Sequence, residues 1–336
     1  MKKVAIVRLS AMGDIIHTLA SFQFLKNCLK DTEVTWFVEE KFAAILNNNP
    51  DVDKIVPVNI QSLKNEFSIS TLKKIYKVVK NSYDFDLVID VQGLLKSAIL
   101  ARVAGNNIAG LDSESARESL ASFFYNQKFK VDCSDIAPMR FALLLSQALG
   151  IEITKEMMLN KLPYLYFERD ADTDMLDDYF NTEKKSILIV TGASNESKTY
   201  PAEKFTEVAN LLKNYNVLLI AGSEKERRVA TIIEENSNAK LLPTANLNSL
   251  KYAVSKCDLL IGGDTGPSHI AWAMNKPSVI LFGSTPRTMM METPINIAIT
   301  SGAKVHPCRF DKSDRSIATI DPELIVKKVK ALINDK

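Results

Sequence analysis

The feature that most constrains the fold is an alternation of short apolar runs with amphipathic helical stretches. In the first half, the runs KKVAIVRLS, EVTWFVE, DKIVPV and FDLVIDVQG have the length and apolar character of buried strands. The stretches IIHTLASFQFLKNCL, STLKKIYKVVKNSY and GLLKSAILARVAG have helical periodicity. Strands that alternate with helices in this way predict a doubly wound α/β layer, in which parallel strands are covered on both faces.

The alternation stops once and then starts again. A polar and acidic stretch, FERDADTDMLDDYFNTEKK, spans residues 167–185. After it, SILIVTG, NVLLIAGS, AKLLP, CDLLIGG and PSVILFG predict five further strands with helices between them. A chain of 336 residues is also too long for one ordinary core. The sequence therefore predicts two Rossmann-like halves joined near residue 160.

Composition and charge exclude several other classes of protein. Hydrophobic residues at 46% and charged residues at 24% are ordinary for a packed globular protein. The net charge of +2 argues against a protein that binds nucleic acid through bulk positive charge. The first apolar run is soon broken by Gly13 and Asp14, so we expect a first strand there and not a signal peptide. No run approaches the length of a membrane span, and a cytoplasmic location is expected.

Of two familiar phosphate-binding sequence patterns, one is absent from this sequence and the other is incomplete. The dinucleotide fingerprint G-x-G-x-x-G is absent after the first strand and after SILIVTG. The stretch GASNESKT matches a triphosphate P-loop except that Ser197 replaces the second glycine. Pro201 is well placed to begin the next helix, which leaves Lys198 in the loop before it. What remains is Lys198 with several hydroxyls, Thr191 among them, at the carboxyl end of a strand, where open α/β sheets bind ligands. A solvated loop lysine is the alternative.

The strongest local signal is the segment GGDTGPSHIAWAMNKPSVILFGSTPR. A strand ends in two glycines, Asp264–Gly266 forms a turn, and Pro267 opens a helix. The helix amino terminus offers unpaired N–H groups to a diphosphate, and Gly266 lets a ligand approach the backbone. Asp264 suits sugar hydroxyls, while Thr265 either binds phosphate or caps the helix. The alternatives are that Asp264 or Thr265 only caps the helix and that His269 is a packed core residue.

A third candidate is Glu224, which follows the strand NVLLI. A carboxylate at the carboxyl end of a strand can accept both ribose hydroxyls of a nucleotide. The alternative is a glutamate that the helix dipole favours at a helix amino terminus, and the two roles are compatible. Taken together, the second half predicts a nucleotide-sugar site with Lys198 at the diphosphate, Glu224 at the ribose and Asp264 at the sugar.

Several segments resemble the lipopolysaccharide heptosyltransferases. They are RLSAMGDIIHTL, DLVIDVQGLLKSAILAR, SARESLASFFYN, the Lys198 loop and the segment that begins GGDTGPSH. The stretch from DVQGLLKSA to ARESLASFFYN resembles the heptosyltransferase I members most. The resemblance runs through nearly the whole chain and implies a GT-B fold, with two Rossmann-like domains facing across a cleft. It also implies an ADP-heptose donor and a Kdo–lipid A acceptor at the cytoplasmic face of the inner membrane.

The resemblance also assigns the domains. We expect an acceptor-binding domain at residues 1–160 and a nucleotide-sugar-binding domain at residues 161–320. The segment 321–336 is expected to form a final helix that crosses back to the first domain.

The mechanism that the resemblance implies begins with Asp14, which aligns with the family's general base. This residue follows a glycine-containing turn at a helix start, where the helix dipole favours a carboxylate. It would take the proton from an acceptor hydroxyl as that oxygen attacks the anomeric carbon, and a single displacement of ADP inverts the configuration. Lys198 and the turn at Asp264–Gly266 would stabilise the leaving diphosphate. The scheme needs no divalent metal and no cofactor, and an ordinary helix cap is the alternative for Asp14.

The acceptor carries carboxylates and phosphates, so cations should bind it. The candidates in the first half, including the glycine beside the proposed base, are Arg8, Gly13, Lys64, Lys96, Arg117 and Arg140. The helix LKKIYKVVK has an apolar face with Leu72, Ile75, Val78 and Val79, while Lys73, Lys74, Lys77 and Lys80 lie largely on the other face. Its basic face is either simply solvated or attracted to an anionic membrane surface.

Three other functions stay open on the sequence alone. A second heptosyltransferase of the same pathway would use a heptosylated acceptor. A sugar-nucleotide 2-epimerase has two such domains but transfers nothing to an acceptor. A nucleotide-sugar-binding protein without turnover is the third.

Overall fold

The computed structural model describes residues 2–29, 31–62, 69–82, 84–243, 246–308 and 310–334. The chain divides into two compact units, Met1–Tyr164 and Leu165–Lys336, which we call unit 1 and unit 2. Each unit contains a six-stranded sheet whose described strand pairs are parallel. The predicted α/β class, with a doubly wound sheet in each half, is confirmed.

The sheet of unit 1 has the strand order β3-β2-β1-β4-β5-β6. Its first strand pairs with β2 on one side and with β4 on the other. The direction of winding therefore reverses between β1 and β4, and ligands of open α/β sheets bind at the carboxyl ends of the strands at such a switch point. The strands are β1 Lys2–Val7, β2 Thr32–Glu39, β3 Lys54–Val58, β4 Leu87–Asp90, β5 Ile108–Leu111 and β6 Gln127–Phe129.

Six helices lie among the described residues of unit 1. One helix was predicted over IIHTLASFQFLKNCL, but the structure has two, α1 and α2, on either side of Ala20 and Ser21. Helix α1 packs against α5, and α4 packs against both α3 and a 3₁₀ turn at Ser119–Phe124. The helices are α1 Met12–Leu19, α2 Phe22–Cys28, α3 Ile69–Lys80, α4 Leu95–Ala104, α5 Ala137–Leu149 and α6 Lys155–Leu159.

Helix α3 is the basic helix of the sequence analysis. Val79 is buried in the core of unit 1 and Ile75 packs against that core, as predicted. Val78, assigned to the same face, is 42% exposed. The side chain of Leu72 lies outside the described residues.

The sheet of unit 2 repeats the same topology in the order β12-β11-β10-β7-β8-β9. Its first strand, β7, pairs with β8 and β10, so the second switch point lies between β7 and β10. Nearly every residue of β7, β8, β10 and β11 is buried, because both faces of the sheet are covered. The strands are β7 Ser186–Val190, β8 Asn216–Ile220, β9 Lys240–Leu241, β10 Leu259–Gly263, β11 Ser278–Phe282 and β12 Asn296–Thr300.

The helices of unit 2 include one inside the acidic stretch that interrupts the alternation. They are α7 Ala171–Phe180, α8 Ala202–Leu211, α9 Glu224–Glu235, α10 Leu247–Lys256, α11 Gly266–Ala273 and α12 Pro322–Asn334. Asp170 caps α7 by accepting the backbone N–H of Thr173 at 2.9 Å. Among the described residues, no helix is long and apolar enough to cross a bilayer.

The last helix, α12, belongs to unit 2. Ile325, Val329 and Ile333 are buried in the same apolar core as residues of β7, β8, β10 and β11. The helix packs against α8 and β11. The apolar stripe of the helix is therefore covered within unit 2, and the crossing to the first domain stays a prediction.

Candidate functional site

The candidate residues follow the strands that flank the two switch points. In unit 1, Arg8 and Asp14 come after β1, and the loop that begins at Val91 comes after β4. In unit 2, Lys198 comes after β7 and Asp264 directly after β10. Each unit therefore has its polar candidates at the edge of the sheet where this topology binds ligands.

Asp14 lies in the first turn of α1 and is paired with Arg8. Its Oδ2 accepts a charge-assisted bond from Nη2 of Arg8 at 2.6 Å and a second bond from the backbone N–H of Ala11 at 3.2 Å. The side chain of Asp14 is 26% exposed and that of Arg8 only 6%. The carboxylate is thus held in place from the protein side while one part of it remains open to solvent.

Arg8 is itself fixed by two other contacts. Its Nη1 donates to the carbonyl of Val91 at 2.8 Å, and its guanidinium lies 4.5 Å from the ring centre of Phe141 on α5. Arg140 precedes Phe141 in the first turn of α5. Burial lowers the pKa of Arg140, while the charge of Asp14 raises it and that of Arg8 lowers it. The paired Arg8 and the neighbouring Arg140 supply positive charge on this side of unit 1, which suits the binding of an anionic ligand.

Sequence reasoning missed three residues that support this loop. The backbone N–H of Leu9 donates to Oε1 of Gln92 at 2.8 Å, which ties the loop after β1 to the loop after β4. Asp90, fully buried at the end of β4, accepts bonds from the Tyr125 hydroxyl at 2.7 Å and from the Gln92 N–H at 2.9 Å. Burial raises the pKa of Asp90, and these hydrogen bonds offset part of that effect. All three lie in segments quoted for the family resemblance, which was the signal available.

The other residues predicted to bind the acceptor lie on several separate elements of unit 1. Gly13 lies beside Asp14 in α1, and Arg140 lies in the first turn of α5. Lys96 lies half-buried in the first turn of α4, and Arg117 is exposed just before the 3₁₀ turn at Ser119–Phe124. Lys64 lies outside the described residues.

In unit 2, the partly exposed Lys198 and the buried Asp264 and His269 form one chain of contacts. Nζ of Lys198 lies 2.6 Å from Oδ2 of Asp264, and Nε2 of His269 lies 3.2 Å from Oδ1. Burial alone would raise the pKa of Asp264, but the His269 hydrogen bond and the Lys198 ammonium outweigh it and hold the pKa well below its ordinary value. The ring of Phe310 lies 5.2 Å from the same ammonium. The candidates for diphosphate and sugar are therefore direct partners.

Glycines bring the Lys198 loop close to the end of β10. A Cβ on Gly263 would lie 2.5 Å from the carbonyl oxygen of Lys198, so only glycine fits there. Thr265 precedes α11 in an extended conformation, and its hydroxyl does not cap the helix. Ser268 instead donates to the carbonyl of Gly263 at 2.7 Å. The amino terminus of α11 begins two residues after Asp264 and so lies close to Lys198, which is the arrangement expected for an anion site.

The loop after β7 also borders a cavity of about 440 Å³. Its lining consists of Thr191, Gly192, Ala193, Ser194, Asn195, Glu196, Thr199, Lys225, Glu226, Val229, Lys312 and Arg315. The Thr191 hydroxyl donates to the carbonyl of Ile220 at 2.9 Å, so it is engaged with β8. Lys198 and Asp264 are not part of this lining, which makes the cavity a neighbour of the ion-paired chain.

Glu224 and Glu226 differ in their exposure and in their contacts. Glu224 begins α9, its side chain is 74% exposed, and its only charged partner among the described residues is Arg228 at 3.7 Å. Glu226 was missed by the sequence analysis. It lines the cavity and accepts the Gly222 N–H at 2.7 Å, and it leaves no room for a side chain at Gly192. Glu224 is thus available to a ligand, whereas Glu226 shapes the turn.

A metal site is not visible in the parts of the chain that the structure describes. No three His, Cys, Asp or Glu side chains there are grouped so that they could hold an ion. The polar groups at both switch points are matched in charge by their own neighbours, Arg8 with Asp14 and Lys198 with Asp264.

Comparison with known proteins identifies the family. The family described as glycosyltransferase family 9 (heptosyltransferase) matches residues 74–315. Lipopolysaccharide heptosyltransferase 1 of Campylobacter coli is 36% identical over 99% of this chain and 100% of the relative. The enzyme of the same name from Pseudomonas aeruginosa is 32% identical over 84% of this chain and 79% of the relative.

A solved structure supports the fold. Escherichia coli heptosyltransferase WaaC, solved with ADP-2-deoxy-2-fluoro heptose, matches with a TM-score of 0.75 and 24% identity over 99% of both chains. The GT-B fold class that the resemblance implied is therefore confirmed. By its match over most of its length, this chain belongs to glycosyltransferase family 9, the heptosyltransferases, and is a glycosyltransferase.

Proposed function

We propose that the chain transfers L-glycero-D-manno-heptose from ADP-heptose to the Kdo of Kdo–lipid A, with inversion, in synthesis of the lipopolysaccharide inner core. The observation that carries the donor half is the chain of contacts Lys198–Asp264–His269 next to the amino terminus of α11. The names of the two relatives and the heptose analogue in the matched structure support the donor. The assignment of Kdo–lipid A as the acceptor is supported by the family to which the chain belongs.

In the donor site, the diphosphate would lie between Lys198 and the amino terminus of α11. Lys198 supplies a mobile positive charge, and the helix supplies backbone N–H groups that are already oriented. Asp264 holds Lys198 before the donor arrives and then accepts sugar hydroxyls. Glu224 receives the ribose hydroxyls at the exposed start of α9, and Thr191, Thr265, Gly266 and His269 complete the site.

In the acceptor site, Asp14 would act as the general base. Both of its contacts engage Oδ2, so we assign proton abstraction to Oδ1. As the acceptor oxygen bonds to the anomeric carbon, its proton passes to Asp14 and the bond to ADP breaks with both electrons leaving on the phosphate. Arg8 and Arg140 would bind the acidic groups of the acceptor, with Lys64, Lys96, Arg117 and the backbone of Gly13 as further contacts.

The same proposal gives the partners and the location. A lipid acceptor of this kind would be met at the cytoplasmic face of the inner membrane. We therefore infer a cytoplasmic protein in peripheral contact with that membrane, without a nucleic-acid partner.

One incubation separates the candidate functions. Purified protein is mixed with ADP-heptose and Kdo–lipid A, and products are followed by mass spectrometry. A single heptose added to Kdo–lipid A, together with ADP, is the expected result. Transfer only to an already heptosylated acceptor would indicate the second heptosyltransferase. A rearranged donor would indicate an epimerase, and unchanged substrates with measurable donor binding would indicate a binding protein.

A further inference from the structure

One face of the unit 1 sheet is covered by a single layer of three elements. Val79 of α3, Ala101 of α4 and Ala121 of the 3₁₀ turn Ser119–Phe124 are buried in one apolar core with residues of the strands. Helix α4 contacts both α3 and the turn. We call these three elements the α3–α4 layer. Its inner side lies on the sheet, and its outer side faces away from it.

The outer side of the α3–α4 layer carries exposed apolar side chains. Phe123 is 78% exposed and Leu120 is 57% exposed, both in the 3₁₀ turn. Ile99 of α4 is 51% exposed and Tyr76 of α3 is 54% exposed. A single exposed apolar residue needs no explanation, but several on neighbouring elements of one layer indicate a surface that is covered by something else.

The same layer is strongly basic. The ranges Ile69–Lys80, Leu95–Ala104 and Ser119–Phe124 contain no aspartate or glutamate. They carry six basic residues, all half-buried or exposed, namely Lys73, Lys74, Lys77, Lys80, Lys96 and Arg102. The whole chain has a net charge of only +2. The three ranges carry six positive charges and no negative ones, so positive charge is concentrated on this layer while the rest of the chain is net negative.

We propose that the outer side of the α3–α4 layer docks on the surface of an anionic lipid bilayer. Lysines attracted to acidic headgroups and aromatic or aliphatic side chains inserted at their level form the combination that holds proteins at such an interface. A second copy of this chain fits less well, because a symmetric contact would bring the lysines of both copies together. The proposal extends the proposed function, since a lipid acceptor requires the enzyme at a membrane. The exposed apolar side chains and the basic residues of the layer are observed independently of that function.

Vesicle binding by the full chain tests the proposal without any substrate. Phosphatidylethanolamine vesicles with and without phosphatidylglycerol, both lacking the acceptor, are sedimented with the protein. We expect binding that needs phosphatidylglycerol and weakens as salt is raised. Lys74→Glu/Lys77→Glu should lower the partition coefficient by at least about tenfold, since each lysine near such a surface contributes about a factor of five. Leu120→Ser/Phe123→Ser should lower it while leaving the salt dependence in place.

Matched controls come from unit 2. Lys213→Glu/Lys240→Glu reverses two exposed lysines, and Leu211→Ser/Ile232→Ser replaces exposed apolar residues. Both should bind vesicles as the parent chain does. Thermal unfolding and ADP-heptose affinity, measured for every variant, should match the parent and so exclude misfolding.

Two results would overturn docking on lipid. One is vesicle binding that ignores phosphatidylglycerol or survives both pairs of substitutions in the layer. The other is a dimer in light scattering that Leu120→Ser/Phe123→Ser dissociates while the parent chain ignores vesicles, which would assign the surface to a second copy. Transfer to a deacylated, water-soluble acceptor is measured alongside. If it proceeds while vesicles are not bound, the docking surface is wrong and the proposed function stands.

Discussion

Asp14 is held by Arg8 and Ala11 through one oxygen, which makes it the residue whose chemistry can be tested most directly. We expect Asp14→Asn to keep the fold and the ADP-heptose affinity and to lower the transfer rate by about 10²- to 10⁴-fold, because the amide cannot take the acceptor's proton. Single-turnover rates and calorimetry with ADP-heptose measure the two quantities.

The control for Asp14 lies at the opposite edge of the same sheet. Asp31 is exposed, and its carbonyl accepts the N–H of Lys2 where β1 begins. Asp31→Asn should transfer heptose at the parent rate. Near-normal turnover in Asp14→Asn would remove Asp14 as the base and leave it as a cap of α1.

Lys198 is the corresponding residue of unit 2. We expect Lys198→Ala to weaken ADP-heptose binding by about ten- to a hundredfold, because the diphosphate loses a charge-assisted contact and the Asp264 carboxylate loses its neutralising partner. Calorimetry with ADP-heptose and with adenosine should show a large effect for the first ligand and a small one for the second.

The control for Lys198 is Lys213→Ala, which removes an exposed lysine that follows α8. It should leave both affinities unchanged. An unaltered ADP-heptose affinity in Lys198→Ala would exclude its role at the phosphates. Equal losses for ADP-heptose and adenosine would point to damage of the loop after β7 instead.

At the scale of elements, the strand β4 contributes a buried acid that shapes the loop beside Asp14. Tyr125→Phe removes the hydroxyl bond to Asp90 and should lower the free energy of unfolding of unit 1 by about 1–3 kcal/mol, because a buried carboxyl loses a donor. The chain has two tryptophans, so Trp36 of β2 reports on unit 1 in a Trp272→Phe background. Urea unfolding followed by its fluorescence measures the difference.

The effect of Tyr125→Phe should depend on pH. Burial raises the pKa of Asp90, so the stability that this group contributes below its ordinary pKa is lost as pH rises through the folded-state value. The Tyr125 bond lowers that pKa and offsets part of the loss. The destabilisation should therefore grow from acidic to neutral pH. A pH-independent difference would contradict this, and Tyr76→Phe, at an exposed position, should change little at any pH.

At the scale of the whole molecule, the two repeated sheets could be predicted because periodicity is a local property. The apolar runs predicted nine of the twelve described strands and missed β5, β6 and β12. Pro201 correctly predicted that Lys198 lies ahead of α8, which begins at Ala202. The order of the strands within each sheet cannot be predicted from any single segment. The strand order is set by the topology that this class of fold favours, and that order determines where the switch points lie.

The partners of the candidate side chains could not be predicted from the sequence, because they too depend on the order of the strands in each sheet. Lys198 and Asp264 are 66 positions apart, and Asp90 and Tyr125 are 35 apart. Lys198 and Asp264 were visible in the sequence as polar groups near strand ends, but the partner of each depends on which strands become neighbours. Asp90 and Tyr125 were missed. Sequence reasoning therefore found Lys198 and Asp264 as separate ligand contacts, and the structure shows them as an ion pair.

The proposed roles of the two units, nucleotide binding by unit 2 and acceptor binding by unit 1, can be tested by amide hydrogen exchange along the whole chain. If unit 2 binds the nucleotide, saturating ADP should slow exchange in residues 192–199 and at the amino terminus of α11, and should leave residues 8–14 unchanged. At a concentration about a hundred times the Kd, protection should rise by up to about a hundredfold where exchange requires ligand release. Adenosine, which lacks the diphosphate, should protect α11 much less, because only a phosphate uses its unpaired N–H groups. Protection concentrated in residues 8–14 would instead assign the nucleotide to unit 1 and reverse the roles given to Asp14 and Lys198.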